Sequence, residues 1–230
     1  MNDQPPAVRI LWEDDALLAV DKPAGLRALP DGYDPAAPHL RSLLEPLYGR
    51  LWIVHRLDKN TSGVIVLARS AAAHRSLNTQ FDQHTVKKVY HALAEGKPEW
   101  ETTTVRLPLR ANGDRRHRTV IDPQGGKPAV THFRLLERFA GYALLEAQPE
   151  TGRTHQIRAH LAALGLPIAG DARYGSRTAG FERPMLHAFS LDFRHPISRA
   201  PVRLEAPYPQ DFQAVLDSLR RAGGMPWQRR

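Results

Sequence analysis

Asp58 lies in HRLDKNTSG, residues 55–63, with Arg56 two positions before it and Thr61 and Ser62 just after it. An apolar run, VIVLA, follows at once. An arginine placed beside a carboxylate favours its ionised form. An ionised aspartate suits a nucleophile or a base working at neutral pH. Aspartate also opens turns by accepting backbone N–H bonds, so an Asx-turn ahead of a strand is the other reading of these nine positions.

A second cluster stands in ETGRTHQIRAHLAALGLPIAGDARYG, residues 150–175, where Arg153, His155 and Arg158 surround the start of a helical pattern. Cations at the positive end of a helix make an anion site. The alternative is a solvated, salt-bridged helix face. A third group is purely basic: Arg106, Arg110, Arg115, Arg116 and Arg118, with Asp114 the sole acid from 102 to 118. Such a stretch can neutralise phosphates, which makes binding salt dependent, or it can be a solvated hairpin.

Other chemistries fail on spacing. DKNTSG starts like a calcium loop, but its fifth position is Ser62 and its twelfth is Arg69, where a bidentate glutamate is required. A phosphoaspartate site needs a second acid where Asn60 stands. GGKPAV lacks the spacing of a phosphate-cradling loop. His155 and His160 are five apart and do not share a helix face for a metal. A glycosidase reading with paired carboxylates would recruit Glu146 or Glu150, yet arginines surround these motifs instead.

The elements that must position these groups can be read from periodicity. Val8–Trp12 and Ala16–Val20 form a hairpin across acidic turn residues. A loop rich in proline and glycine covers 24–39, and a short helix over 40–48 is expected to be interrupted near Pro46. VIVLA is a buried strand. Ser70 caps a helix over 71–84, with Leu77 and Phe81 on one face. KKVYHALAEG is a strand, 95–130 a projecting basic hairpin, and 130–147 two strands around Ala140-Gly141. Thr154 caps a helix ended by Gly165, with Ile157, Leu161 and Leu164 facing the core. Strands follow over Leu186–Phe193 and Val202–Ala206, then an amphipathic helix with Phe212, Val215, Leu216 and Leu219 on one side. Strands and helices do not alternate regularly. The expected fold is therefore α+β, with a mixed, largely antiparallel central sheet and flanking helices and loops, in a single domain over 1–230.

Composition narrows the class. At 230 residues and 42% apolar content the chain can bury a sizeable core. No apolar run is long enough to span a bilayer, and MNDQPPAVRI has no features of a secretory leader. There is no cysteine, which excludes disulfides, thiolate metal sites and cysteine nucleophiles and suits a reducing cytoplasm. The net charge is +8, but residues 1–50 hold 5 basic and 8 acidic residues, so the positive charge lies in the remainder. Arginine far outnumbers lysine there, which fits a polyanionic partner such as nucleic acid.

Four stretches together carry a resemblance. HRLDKNTSGVIVLA resembles the signature of the RluA-type family of RNA pseudouridine synthases, in its short branch with only the catalytic domain. KKVY resembles the family's second motif, TGRTHQIRAHLAALGLPIAGDARYG its third, and MLHAFSLDFRHP its C-terminal strand; LWEDDALLAVDKPAGL fits the family's start. The resemblance runs over roughly residues 8–207. It implies isomerisation of a uridine in structured RNA, with no metal and no cofactor. It implies that Asp58 is the catalytic aspartate, that Tyr90 packs on the target base, and that Arg158 pairs with the aspartate. Arg56 would fill the gap left by the extruded nucleotide. His55, Thr61, Arg153 and His155, with Arg115, Arg116 and Arg118 of the hairpin, would complete the RNA-binding set. The implied partner is an rRNA or tRNA stem-loop, with no membrane and no protein partner, and the implied form is a cytoplasmic monomer without an S4-like domain. The competing expectation is a binding module that keeps the scaffold and does no chemistry.

Overall fold

Asp14 explains the first turn of the chain: its Oδ1 accepts the N–H groups of Ala16 and Leu17 at 2.8 and 2.9 Å. This Asx-type closure joins strands β1 (Arg9–Glu13) and β2 (Leu17–Lys22), which pair antiparallel. The computed structural model describes residues 8–30, 37–223 and 225–226. The leader reading at the N-terminus, part of the surface loop at 31–36, and the basic residues Arg229 and Arg230 lie outside the described residues.

Helix α1 (Leu40–Tyr48) starts with a reciprocal cap, His39 Nδ1 accepting from Ser42 N–H and Ser42 Oγ from His39 N–H. It runs through Pro46 without the expected interruption. The proline sits in the last turn, where its missing N–H removes only one bond of the ladder. Strands β3 (Trp52–Ile53) and β4 (Ser62–Ala68) follow, then α2 (Ala71–Asp82), whose N-cap Ser70 accepts from Ala73 N–H at 3.1 Å as expected.

Next come β5 (Lys87–Glu95), β6 (Thr102–Val105), β7 (Leu109–Arg110), β8 (Val120–Ile121), β9 (Thr131–Phe139) and β10 (Tyr142–Pro149). Helix α3 (Gln156–Ala163) begins one residue later than a Thr154 cap implied: its N-cap is His155, in the left-handed region at φ 53°, and that residue makes no side-chain cap. A 3₁₀ turn (Ala172–Tyr174), β11 (Leu186–Arg194), β12 (Pro201–Glu205), α4 (Gln210–Arg221) and β13 (Met225–Pro226) complete the chain.

The fold is α+β with a mixed sheet, and every strand pairing named here is antiparallel. The residues form two compact units, one of residues up to 88 with 188–207, the other of 89–187 with 208 onward. In the first, β2 pairs with both β1 and β4, in register from Leu17↔Ala68 to Lys22↔Gly63. β3 pairs with β4, and β12 with β11. Every residue of β4 is buried, as its unbroken apolar run required. Leu77 and Ala73 of α2 pack with Val64, Val66, Leu191 and Phe193.

In the second unit β10 lies between β5 and β9, while β6 and β13 pair with β9. Ile157 and Leu161 of α3, and Phe212 and Leu216 of α4, enter a core with Phe133, Leu135 and Leu145. These spacings of four place each pair on one helix face. The expected basic hairpin is a short antiparallel ribbon of β7 and β8, with Leu109 opposite Ile121.

Candidate active site

The loop that carries Asp58 is fastened by a buried cation. Lys22 is fully buried at the end of β2. Its Nζ donates to the carbonyls of Pro23 at 2.8 Å, Leu26 at 2.7 Å and Lys59 at 3.1 Å. Gly25 N–H donates to the same Lys59 carbonyl at 2.9 Å. One ammonium therefore ties the Lys22-Pro23-Ala24-Gly25 turn to the residue after Asp58. Charge-assisted bonds of this kind are stronger than neutral ones, so the loop is held at its tip.

Within the loop Thr61 N–H donates to the Asp58 carbonyl at 3.1 Å, which closes a turn over 58–61. Asp58 opens that turn, a position aspartate favours. The turn reading and the functional reading are thus compatible. Asp58 is partly exposed, Arg56 exposed, and Leu57 and Thr61 are buried. Gly63 follows at φ 115°, and a Cβ there would overlap the Ala188 carbonyl.

His55 has a framework role. Its Nε2 accepts from Val66 N–H at 3.0 Å, and its ring stacks on Phe81 with centroids 4.6 Å apart. Burial, with the Lys88 charge adding to it, pushes its pKa down to about 3. A neutral ring whose Nε2 accepts is what this geometry needs.

In the second unit Arg158 is fixed by Asp171. Nε donates to Oδ2 at 2.7 Å and Nη2 to Oδ1 at 2.9 Å, a bidentate fork. The guanidinium also lies over the Tyr174 ring, 4.9 Å from its centroid. Tyr174 Oη accepts from Thr119 N–H at 2.9 Å and bonds His155 Nδ1 at 3.0 Å. Burial pushes the Tyr174 hydroxyl upward in pKa, against the bonds from Thr119 and the charges of Arg158 and Arg173. His155 and Arg158 thus converge on one tyrosine.

Gln156 and His160 anchor α3 from beneath. Gln156 Oε1 accepts from Thr151 Oγ1 and Arg153 N–H, and its Nε2 donates to the Val130 carbonyl. His160 is fully buried, with Nδ1 against Thr131 Oγ1 at 2.9 Å and Nε2 donating to the Leu107 carbonyl at 3.0 Å. Arg153 is partly exposed and its Nε donates to the Pro128 carbonyl. Tyr90 stands on β5 opposite Ala147 and packs, partly buried, against the core of this unit.

The ribbon arginines divide. Arg115 and Arg116 are exposed. Arg118 is spent on structure: Nε donates to Asp114 Oδ2 at 2.6 Å and Nη1 to the Arg173 carbonyl at 3.2 Å. Asp114 Oδ1 also accepts the N–H groups of Arg116 and Arg118. Arg173 returns the link, its Nη2 donating to the carbonyls of Arg116 and His117. The two further carboxylates weighed for a paired-acid mechanism are engaged as well: Glu146 with Arg134 and Gln148, Glu150 with His132.

Sequence reasoning passed over Lys22, Asp171 and Tyr174, although each lies in a stretch already quoted for its resemblance. No local signal announces them, because the contacts that give them their roles, Lys22 to Lys59, Asp171 to Arg158 and Tyr174 to Thr119 and His155, each join separate stretches of sequence.

The chain matches the family model described as RNA pseudouridylate synthase over residues 16–163. It is 40% identical over 235 residues to the RNA pseudouridine synthase YlyB of Bacillus subtilis, covering 96% of this chain and 75% of that one. It is also 40% identical to ribosomal large subunit pseudouridine synthase D of Xanthomonas campestris, covering 93% and 70%, and to synthase C of Vibrio cholerae, again 93% and 70%. Among solved structures, human RNA pseudouridylate synthase domain containing 1 matches with a TM-score of 0.76 at 27% identity, over 94% of this chain and 97% of that one.

Proposed function

The chain belongs to the RNA pseudouridylate synthase family, and from that premise we propose that it isomerises a uridine in a structured loop of large-subunit ribosomal RNA, with or without a tRNA anticodon loop. In that reaction the bond between N1 of uracil and C1′ of the ribose breaks, and a bond from C5 to C1′ forms. The C5 proton is lost and N1 gains one, so there is no net oxidation and no hydrolysis.

Asp58 supplies the carboxylate. It does so by attack at C1′, by attack at C6 of the base, or by taking a sugar proton. The observation that carries the assignment is the build of its loop: a turn headed by a partly exposed Asp58, clamped through the Lys59 carbonyl by the buried Lys22. A catalytic group held by its surroundings loses little entropy on reaching the reacting geometry. Tyr90 offers a flat face to the base, and Arg158 is the cation assigned to Asp58. Arg56, exposed two residues before Asp58, occupies the space left by the extruded nucleotide, a step that costs least in a loop already unpaired. His55 and Thr61 support this loop, while Arg153, His155, Arg115 and Arg116 face phosphate. The enzyme works as a monomer in the cytoplasm.

The names of the relatives, large-subunit synthases C and D, favour ribosomal RNA. Among the described residues no helix is long and apolar enough to cross a membrane. The test is Asp58→Ala, assayed on bulk RNA from a strain lacking the gene. Retained RNA binding with no uridine converted is the expected result. Product formation at near wild-type rate would remove Asp58 from the mechanism. Mapping pseudouridine across the transcriptome with and without the gene identifies the RNA.

A further inference from the structure

The loop after α3 is tied at both ends to one strand of the second unit. At its start Ala169 N–H donates to the Leu93 carbonyl of β5 at 2.8 Å. At its end Glu95, the last residue of β5, accepts three bonds. They come from the Ser176 hydroxyl, from Arg177 N–H at 3.1 Å and from Thr178 N–H at 3.2 Å. The Ser176 hydroxyl accepts in turn from Gly170 N–H at 3.0 Å. One serine thus joins the two ends of the loop and fastens both to a carboxylate on the sheet. Burial opposes the charge on Glu95, but the bonds from Ser176, Thr178 and Arg177 outweigh it and hold the pKa below its ordinary value. The acceptor is therefore ionised at neutral pH, and its bonds are of the stronger, charge-assisted kind.

The residues between these ends give the anchor its consequence. Asp171, next to Gly170, makes the fork to Arg158, and Tyr174 lies under the same guanidinium. The Asp171 carbonyl accepts Tyr174 N–H at 2.9 Å and Ser176 N–H at 3.1 Å, so one short backbone sets both contacts. Gly170 leaves no slack on its side: its φ is 79°, and the Arg183 carbonyl occupies the place of a Cβ. Glu95 and Ser176 are themselves partly exposed. Their bonds fix the place of the loop rather than fill the interior.

We propose that Glu95 and Ser176 are positioning residues for uridine isomerisation, setting the Arg158 guanidinium through Gly170, Asp171 and Tyr174 without touching substrate. The role rests on the reading that Arg158 serves the reaction. It extends that reading to two residues outside the reacting groups, one on β5 and one at the far end of the loop.

The test follows tritium released from total RNA labelled at uracil C5, taken from a strain lacking the gene. Wild type, Glu95→Ala, Ser176→Ala and Ser176→Thr are compared well below the melting temperature of each. In Glu95→Ala and Ser176→Ala kcat falls about tenfold or more while KM for the RNA stays within about twofold, since a misplaced group costs rate rather than binding. Ser176→Thr, which keeps the hydroxyl, recovers most of the rate. Arg158 supplies a second readout. Its Nε–H resonance, identified by its absence from Arg158→Lys, belongs to the group that donates to Asp171. That proton exchanges with water faster in Ser176→Ala and at the wild-type rate in Ser176→Thr. Should Glu95→Ala fail to fold, the two serine variants decide. Wild-type kcat in Ser176→Ala, or a reduced kcat with no change in exchange at Arg158, would overturn the positioning role and leave the catalytic reading intact. Wild-type protein that released no tritium would sink the functional reading, and this role with it, before any variant is compared.

Discussion

Arg158 and Asp171 meet fork to fork, with the Asp171 side chain 1% exposed and Arg158 11% exposed. The pair pins the guanidinium from α3 against the 3₁₀ turn that carries Tyr174. A carboxylate so thoroughly removed from water depends on its partner. Arg158→Ala would strand it, and breaking a buried pair from one side costs about 3–5 kcal/mol. The expected outcome is a loss of that order in urea unfolding. Arg158→Lys recovers only part of it, since an ammonium cannot make the bidentate contact. Unfolding curves matching wild type for Arg158→Ala would show that the pair is not a structural link.

His55 sets a pH dependence whose sign can be worked out. Its folded pKa is depressed from the ordinary 6.5 to about 3. Below 6.5 the unfolded chain takes up a proton that the folded ring refuses. Stability is therefore complete above 6.5 and falls as the pH drops toward 3, by up to about 1.4 kcal/mol per pH unit for one proton. His39 and His160 are also lowered by burial and act in the same direction, so the comparison must be made within one position. His55→Gln, which keeps an acceptor for Val66 N–H, should give a shallower acid limb in unfolding free energy between pH 7 and pH 4. An identical limb would mean that the ring titrates freely in the folded protein.

Gly63 and Gly25 separate two costs of adding a methyl group. Both have positive φ, 115° and 85°. At Gly25 nothing lies within 4 Å of the new Cβ, whereas at Gly63 it would overlap the Ala188 carbonyl. Gly25→Ala carries only backbone strain, about 1–2 kcal/mol. Gly63→Ala adds overpacking and should lose roughly 3 kcal/mol or more. Melting temperatures of the two variants check the order. Equal losses would show that the strands yield freely at Gly63.

The ribbon arginines should split by function. Arg115→Ala with Arg116→Ala removes exposed charge, so it lowers RNA affinity and flattens the salt slope without moving the melting temperature. Arg118→Ala breaks the links to Asp114 and to the Arg173 carbonyl and lowers the melting temperature. Salt titrations and thermal melts on the two variants distinguish the effects. A stable Arg118→Ala protein would return that residue to the RNA-binding set.

What the sequence determined by itself was local. The buried strand was legible in VIVLA because a strand covered on both faces needs no alternation. The cap at Ser70 and the apolar stripe of Phe212, Val215, Leu216 and Leu219 were equally plain, since each is decided within one or two turns of chain. The family was legible because four motifs occur in order. Tertiary structure alone decided which polar groups work for the framework. Lys22 reaches a carbonyl 37 residues away, and Arg118 one 55 residues away. Arg158 finds Asp171 across a loop, and His55 spends its ring on the Val66 amide. Periodicity and turn chemistry act between near neighbours, but a buried cation or carboxylate is satisfied by whichever partner the folded chain brings within about 3 Å. That partner is set by topology, which no short stretch of residues contains.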